Sequence, residues 1–411
     1  MDSRFVQPAA RLMTDFSART GLDVRGDAAR RYLWTDAFAV FARLGLYLRT
    51  GATEHLEGAL RLVDLVHHVL GRHRPDDPRT GWISGLSEAE GVRRPTAGGL
   101  RIGKPLPERL PGEPIDERLE WERDGQYFHY LTKWMHALSR VSIVTQDVRW
   151  DRLAIDLAWA AHGSFVYQRH PDELPRMHWK MSIDLSRPLV PSMGQLDPLD
   201  GFVATSCLRA TQLVLGSNSD ELDDVTADMH RMCAQITTWT THDPLGIGEL
   251  LVAAGMLVQL TANGHLAFDD MLDRNLVDAD RSLQALTRVW DPRMAPSSRL
   301  AFRELGLSIG LRALEPMRVS LKQHSERFGG SRAATALLGR VQSLARCAPL
   351  VDQIEKSWLA QAGRREWVEH EDINAVMLAN SLLPEVYLLA DDLRPPRPRG
   401  SHRHTEENVP W

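Results

Sequence analysis

Helical segments that are apolar on nearly every side alternate along this chain with helical segments that are apolar on one side only. The first kind includes FVATSCLRATQLVLG at 202–216, LGIGELLVAAGMLVQL at 245–260 and AVMLANSLLPEVYLLA at 375–390. The second includes LEGALRLVDLVHHVL at 56–70, WDRLAIDLAWAAH at 150–162 and DELDDVTADMHRMCAQI at 220–236. A helix apolar all round must be buried all round, whereas a one-faced helix rests on a core and meets water on its other side. Period-3.6 spacing dominates and strand-like alternation is scarce. The chain therefore reads as all-α, with an inner and an outer layer of helices. An open solenoid would expose both layers more evenly.

Turn residues divide the pattern into pairs. A short first helix fits 8–20. Helices then pair at about 28–50 with 53–71, 124–145 with 149–168, 200–216 with 219–240 and 245–262 with 267–289. Two less sharply bounded pairs follow, at about 297–314 with 331–347 and 350–362 with 370–391. Gly51, Asp147, Asn218 and Asn263-Gly264 mark the tight connections. Six pairs closing into a ring suit a chain of 411 residues, which is otherwise long for a single core. The alternatives are an irregular helical bundle or two separate bundles. A single domain at 1–393 is expected, with 394–411, rich in proline and charge, as a flexible tail. From His73 to Leu119 the density of proline and glycine excludes a helix. The interleaved Trp82, Ile83, Leu86, Leu100 and Ile102 favour an ordered, lid-like loop at 74–119.

Several classes of function are disfavoured. Lys and Arg number 49 against 54 Asp and Glu, a net charge of −5, with no clustered excess of base for nucleic acid. Cys207, Cys233 and Cys347 form neither a CxxC pair nor an even framework. No apolar run reaches the roughly 18 residues a bilayer span needs, and Met1-Asp2-Ser3-Arg4 opens no signal peptide. A cytoplasmic location, with no membrane partner, is the expectation. His67, His68 and His73 lack metal-ligand spacing and read as surface histidines. No metal and no cofactor are implied, since P-loop, GxGxxG and GxSxG patterns are all missing.

Segments leading into the inner helices should gather at one end of the ring, and they are rich in acids, aromatics and turns. Arg31-Tyr32-Leu33-Trp34-Thr35-Asp36 is the first, with its acid favourable to the helix dipole. Glu120 to Tyr130 (EWERDGQYFHY) is the second, a polar-aromatic cluster costly to bury for packing alone. Asp124 taken singly could be an N-cap. Next come Met177 to Asp184 and Pro191 to Gly201, where either Asp197 or Asp200 caps the following helix. Thr241-His242-Asp243-Pro244 repeats an Asp-Pro turn, an N-cap followed by N1. Glu249 lies within an apolar helix, where its pKa should rise unless Arg299 or Arg303 pairs with it. Glu369 to Asn374 (EHEDIN) completes the set. Carboxylates beside Trp and Tyr suit carbohydrate, whose C–H faces stack on rings while its hydroxyls need fixed partners. Two carboxylates in unlike environments can divide acid and base work.

The pattern resembles the six-hairpin, (α/α)6 toroid glycosidase-like superfamily, through its six pairs, its all-round apolar inner helices and segments such as Asp124 to Tyr130 (DGQYFHY). The resemblance implies an (α/α)6 toroid and a glycoside hydrolase with Asp124 and Asp200 as acid and base and Glu249 as a third catalytic candidate. Substrate-binding candidates are Trp34, Asp36, Gln126, Tyr127, His129, Trp179, Gln195, His242 and His370. A second resemblance, to N-acylglucosamine 2-epimerase-like isomerases, implies a histidine pair. His242 and His370 stand roughly there, although glycine and isoleucine replace the histidine expected near Glu249. A non-catalytic carbohydrate-binding protein is the third reading. The expected partner is a small-molecule carbohydrate.

Overall fold

A computed structural model describes residues 4–22, 30–170, 173–217, 220–291 and 293–390. The expected turn at Asn218 and the tail at 394–411 lie outside the described residues. In chain order the helices are α1 (Val6–Thr20), α2 (Leu33–Thr50), α3 (Thr53–Leu70), the short α4 (Glu88–Arg93) and α5 (Glu117–Glu122), α6 (Phe128–Thr145) and α7 (Val148–Phe165). They continue as α8 (Asp197–Val214), α9 (Asp223–Gln235), α10 (Pro244–Ala262), α11 (Asp270–Val289), α12 (Ala301–Arg312), α13 (Leu314–Gln323) and α14 (Ser331–Ala345). The last are α15 (Leu350–Gln361), α16 (Arg365–Val368), α17 (Glu371–Leu382) and α18 (Glu385–Leu388).

Six of these helices form a closed inner circle: α2 packs on α6, α6 on α8, α8 on α10, α10 on α12, α12 on α17, and α17 back on α2. This is the (α/α)6 toroid. The inner helices are those with burial all round. In α2 every residue from Leu33 to Leu46 is buried, and α6 is continuously buried from Leu131 to Val144. Outer helices bury one stripe; α3 covers Ala59, Leu62, Val63, Val66 and Leu70, at the i, i+3, i+4 spacing of a one-faced helix. Contrary to the expectation that no apolar run is long enough for a bilayer, α10 is apolar and long enough, by length and composition alone, to cross a membrane. Its place among the other inner helices accounts for that apolarity.

Local chemistry sets the ends. Gly51 takes a left-handed φ of 72° and its N–H closes on Tyr47 O at 2.7 Å, ending α2. Asp147 caps α7 through the Arg149 N–H, and Asp243 caps α10 through the Leu245 N–H with Pro244 following. Between α10 and α12 the backbones nearly touch. A Cβ on Gly248 would lie 2.2 Å from Gly306 O, and one on Gly310 would lie 2.5 Å from Gly248 O. Only glycine permits that approach.

The pairing differs from expectation in the last third. Helix α12 packs its outer side on α15, while α14 sits on α13 and α11. Helix α17 is an inner helix, and its main outer neighbour is α1. Arg19 of α1 reaches Glu371 at 3.3 Å and Asp372 at 2.9 Å. The short N-terminal helix thus closes the ring as the sixth outer partner. It brings together residues 353 positions apart, a link that local periodicity cannot reveal.

The long loop is not wholly irregular. Ser87 and Glu90 form a capping box that starts α4, and Asp116 caps α5. Strands are short. β1 (Gln126–Tyr127), β4 (Lys180–Met181) and β5 (Pro188–Val190) form an antiparallel sheet in the order β1-β4-β5; β2 (Val166–Tyr167) pairs with β3 (Arg176–Met177). The first sheet clamps the loop against the start of α6.

Candidate functional site

The leading ends of the inner helices open on a cleft of about 800 Å³. Helix α2 contributes Tyr32, Trp34 and Asp36; the start of α6 contributes Tyr127, His129 and Tyr130; α12 contributes Phe302 and Arg303; α17 brings His370 to Ile373. The loop adds Gly103, Lys104 and Trp121. Of the sequence candidates, Trp34, Asp36, Tyr127, His129 and His370 meet here.

Asp36 is the most perturbed acid in this wall. It is 1% exposed, and burial lifts its carboxyl from 3.8 to about 6, against the opposing pull of Arg31 and of the Tyr32 N–H. Its Oδ2 accepts that N–H at 3.0 Å and its Oδ1 lies 3.4 Å from Arg31. Asp372, in the same cleft, acts on it electrostatically and raises it further. Asp372 itself is ion-paired with Arg19. Beside them the hydroxyls of Tyr32 and Tyr130 share a hydrogen bond of 2.7 Å. The Lys104 ammonium stands 5.6 Å over the Tyr32 ring, and burial lowers its pKa.

On the opposite side His129 stacks on Tyr127 at 5.4 Å, and its Nδ1 lies 3.5 Å from Asp197 Oδ1. That is ion-pair distance but longer than a hydrogen bond. His129 Nδ1 and Asp197 Oδ2 are buried without hydrogen-bond partners among the described residues. An imidazole backed by a carboxylate is an arrangement able to accept and return a proton.

Deeper on the ring axis lies a second polar cluster around a space of only about 30 Å³. Lys133 sits one helical turn below His129 on α6. Its Nζ donates to Glu249 Oε2 at 2.5 Å and lies 3.6 Å from Asp200 Oδ1. The Tyr387 hydroxyl donates to both oxygens of Glu249 at 3.1 Å. Burial would lower Lys133, but the two carboxylates outweigh it and hold it well above its ordinary range. Asp200 is raised to about 6, chiefly by burial. Glu249 therefore pairs with Lys133, while Arg299 pairs with Glu304 and Arg303 with Asp243. Neither Asp197 nor Asp200 is the expected N-cap; Leu196 precedes α8 with no side-chain cap.

Other candidates are engaged elsewhere. Asp124 is fully buried in the loop, with Arg101 at 3.0 Å, Arg74 at 3.3 Å and the Gly103 N–H at 2.9 Å, and does not cap α6. Gln126 accepts from Leu100 N–H and donates to Gly98 O and Ile183 O, tying loop to sheet. Gln195 is exposed and donates to Thr238 O. His242 is exposed and outside the cleft lining, and Trp179 belongs to an adjoining chamber. His67, expected at the surface, is buried; its Nε2 accepts from Trp134 Nε1–H at 3.1 Å, and burial lowers its pKa to about 3. Among the described residues no group of three His, Cys, Asp or Glu side chains is placed to hold a metal ion.

No protein-family model matches the chain, and no curated protein matches it in sequence. Among solved structures it is similar to an inactive variant of an α-1,6-mannanase of Salegentibacter sp. HEL1_6 in complex with α-1,6-mannotriose, at 12% identity over 84% of this chain and 99% of that one, with a TM-score of 0.43. It is similar to a D-mannose isomerase at 12% identity over 84% and 98% of the two chains, TM-score 0.45. A family 76 glycoside hydrolase from a bovine Bacteroides thetaiotaomicron strain matches at 12% identity over 94% of this chain and 77% of that one, TM-score 0.45. Likeness at this distance carries no chemistry across to this chain.

Sequence reading missed Lys133, Lys104, Asp197 as a partner of His129, and Asp372 as a neighbour of Asp36. A cation was required somewhere near Glu249, and Lys133 stood three residues beyond the second polar segment. Only the helix register shows that it faces the ring axis.

Proposed function

We propose that this protein is a carbohydrate-active enzyme, a glycoside hydrolase acting in the cleft at the ring mouth, with Asp36 as proton donor and Asp372 as the second carboxylate. The observation that carries this reading is Asp36, a buried carboxyl raised to about 6 in a cleft wall that also holds Trp34, Tyr127 and an ion-paired acid. Two acids in unlike surroundings are what divided acid and base work requires. The protonated form of Asp36 would deliver its proton to the leaving oxygen, while Asp372, which lies 2.9 Å from Arg19, would activate water or meet the anomeric carbon. Trp34 and Tyr127 line this cleft, each nearly buried at 5% and 2% exposure. Asp124, with its ion pairs inside the loop, and Asp200 and Glu249, closed round Lys133 in a space too small for a sugar, are assigned structural roles.

A second reading is sugar isomerisation or epimerisation. It is favoured by one specific observation: His129, backed by Asp197, and His370 line the same cleft. Nuclear magnetic resonance of products from a panel of nitrophenyl glycosides and free aldoses and ketoses separates the two. Hydrolysis releases a reducing sugar from a glycoside. Isomerisation converts a free sugar and exchanges its carbon-bound hydrogen with solvent. Turnover of free sugars alone would discard the hydrolase assignment, and inertness towards both sets would discard catalysis on carbohydrate.

A further inference from the structure

The cleft does not end at Tyr127. Tyr127 and Trp121 also line an adjoining chamber of about 380 Å³, walled by Trp179, Val190 and Pro191 with Ser192 at its rim. Aromatic rings run continuously from one space into the other. His129 and Tyr127 lie 5.4 Å apart and stacked, Tyr127 and Trp179 lie 5.1 Å apart and tilted, and Trp179 meets Trp121 edge-on at 5.2 Å. The ring of His129 is also nearly parallel to Trp179, at 15° and 6.4 Å. Core packing does not explain this row, because Trp121 is 54% exposed. It sits on α5, a six-residue helix presented by the loop, at the junction of the two spaces. A large aromatic held half in water, with its neighbours aligned towards a cleft, is suited to a ligand that is apolar on its faces and polar at its edges.

We infer that the substrate is longer than one sugar ring, and that the chamber between Trp121 and Trp179 is a second sugar-binding subsite. The inference rests on the carbohydrate reading above and extends it to an oligosaccharide or a glycoside of at least two residues. One residue occupies the space between Asp36 and His129, and the next crosses Tyr127 to lie against the two tryptophans. Ser192 and Glu117, both exposed, stand where they can meet its hydroxyls.

The test compares full-length wild type, Trp121→Ala and Trp121→Phe on nitrophenyl glycosides carrying one, two and three sugar residues, reading kcat/KM and, separately, binding by tryptophan fluorescence. Wild type is expected to gain roughly tenfold in kcat/KM from the second residue, the size of one good aromatic contact. Trp121→Ala should erase that gain, lowering kcat/KM on the two-residue substrate about tenfold more than on the one-residue substrate, and Trp121→Phe should restore part of it. Equal kcat/KM on one and two residues in wild type, or an equal loss on all lengths in Trp121→Ala, overturns the subsite and leaves the cleft assignment standing. Failure of every glycoside to bind or react overturns the carbohydrate reading and the subsite with it.

Discussion

Replacing Asp36 by asparagine keeps the side chain's shape and removes its charge. In the folded protein burial raises this carboxyl from 3.8 to about 6, after Arg31 and the Tyr32 N–H have pulled it down. The folded state therefore holds the proton more tightly than the unfolded chain. The stability this supplies is complete below the unfolded value and is lost as pH rises through about 6. A gap of about two pKa units corresponds to about 3 kcal/mol. Asp36→Asn has no such proton to lose. Between the unfolded and folded values the stability difference between the two proteins should shift by about 3 kcal/mol in the variant's favour. Urea unfolding followed by circular dichroism across that pH range measures it, and other acids cancel in the difference. Activity should move the opposite way. Loss of a general acid costs roughly 10²–10⁴-fold in kcat, and wild-type kcat should decline above the pKa of Asp36. A stability difference that stays flat with pH, together with a variant that keeps its turnover, would refute the assignment of Asp36.

Lys133→Met should cost about 3–5 kcal/mol, because it strands the Asp200 and Glu249 carboxylates without a cation in the ring interior. The combined Lys133→Met, Asp200→Asn, Glu249→Gln variant should regain most of that in chemical denaturation, and no recovery would argue against the pairing. Asp124→Ala leaves Arg74 and Arg101 without a common carboxylate, so limited proteolysis should open the segment 72–123; an equally protected loop would count against its anchoring role. Gly248→Ala pushes a Cβ into Gly306 O and should destabilise by about 1–3 kcal/mol in thermal unfolding. An unchanged melting temperature would mean that α10 and α12 cross less closely.

Much of the architecture was legible because burial is written into composition. The apolar residues of 245–260 surround their helix on all sides, while those of 56–70 form one stripe, so inner and outer layers separate before any tertiary contact is known. Closure and site chemistry depend on contacts that no local pattern encodes. Val6–Thr20 is an ordinary one-faced helix until Arg19 finds Glu371 and Asp372. The hairpin rule of neighbour packing on neighbour fails where α13 and α14 are inserted between α12 and its partner α15. Asp124, Asp200 and Asp36 are all acids near the start of an inner helix, alike in sequence. The fold gives Asp124 two guanidinium groups, draws Asp200 towards Lys133 one turn below the mouth, and leaves Asp36 in the cleft wall with its carboxyl pushed up by burial. Residue type determined that these positions would be costly to bury; distance and partner, which only the ring supplies, decided what each one does.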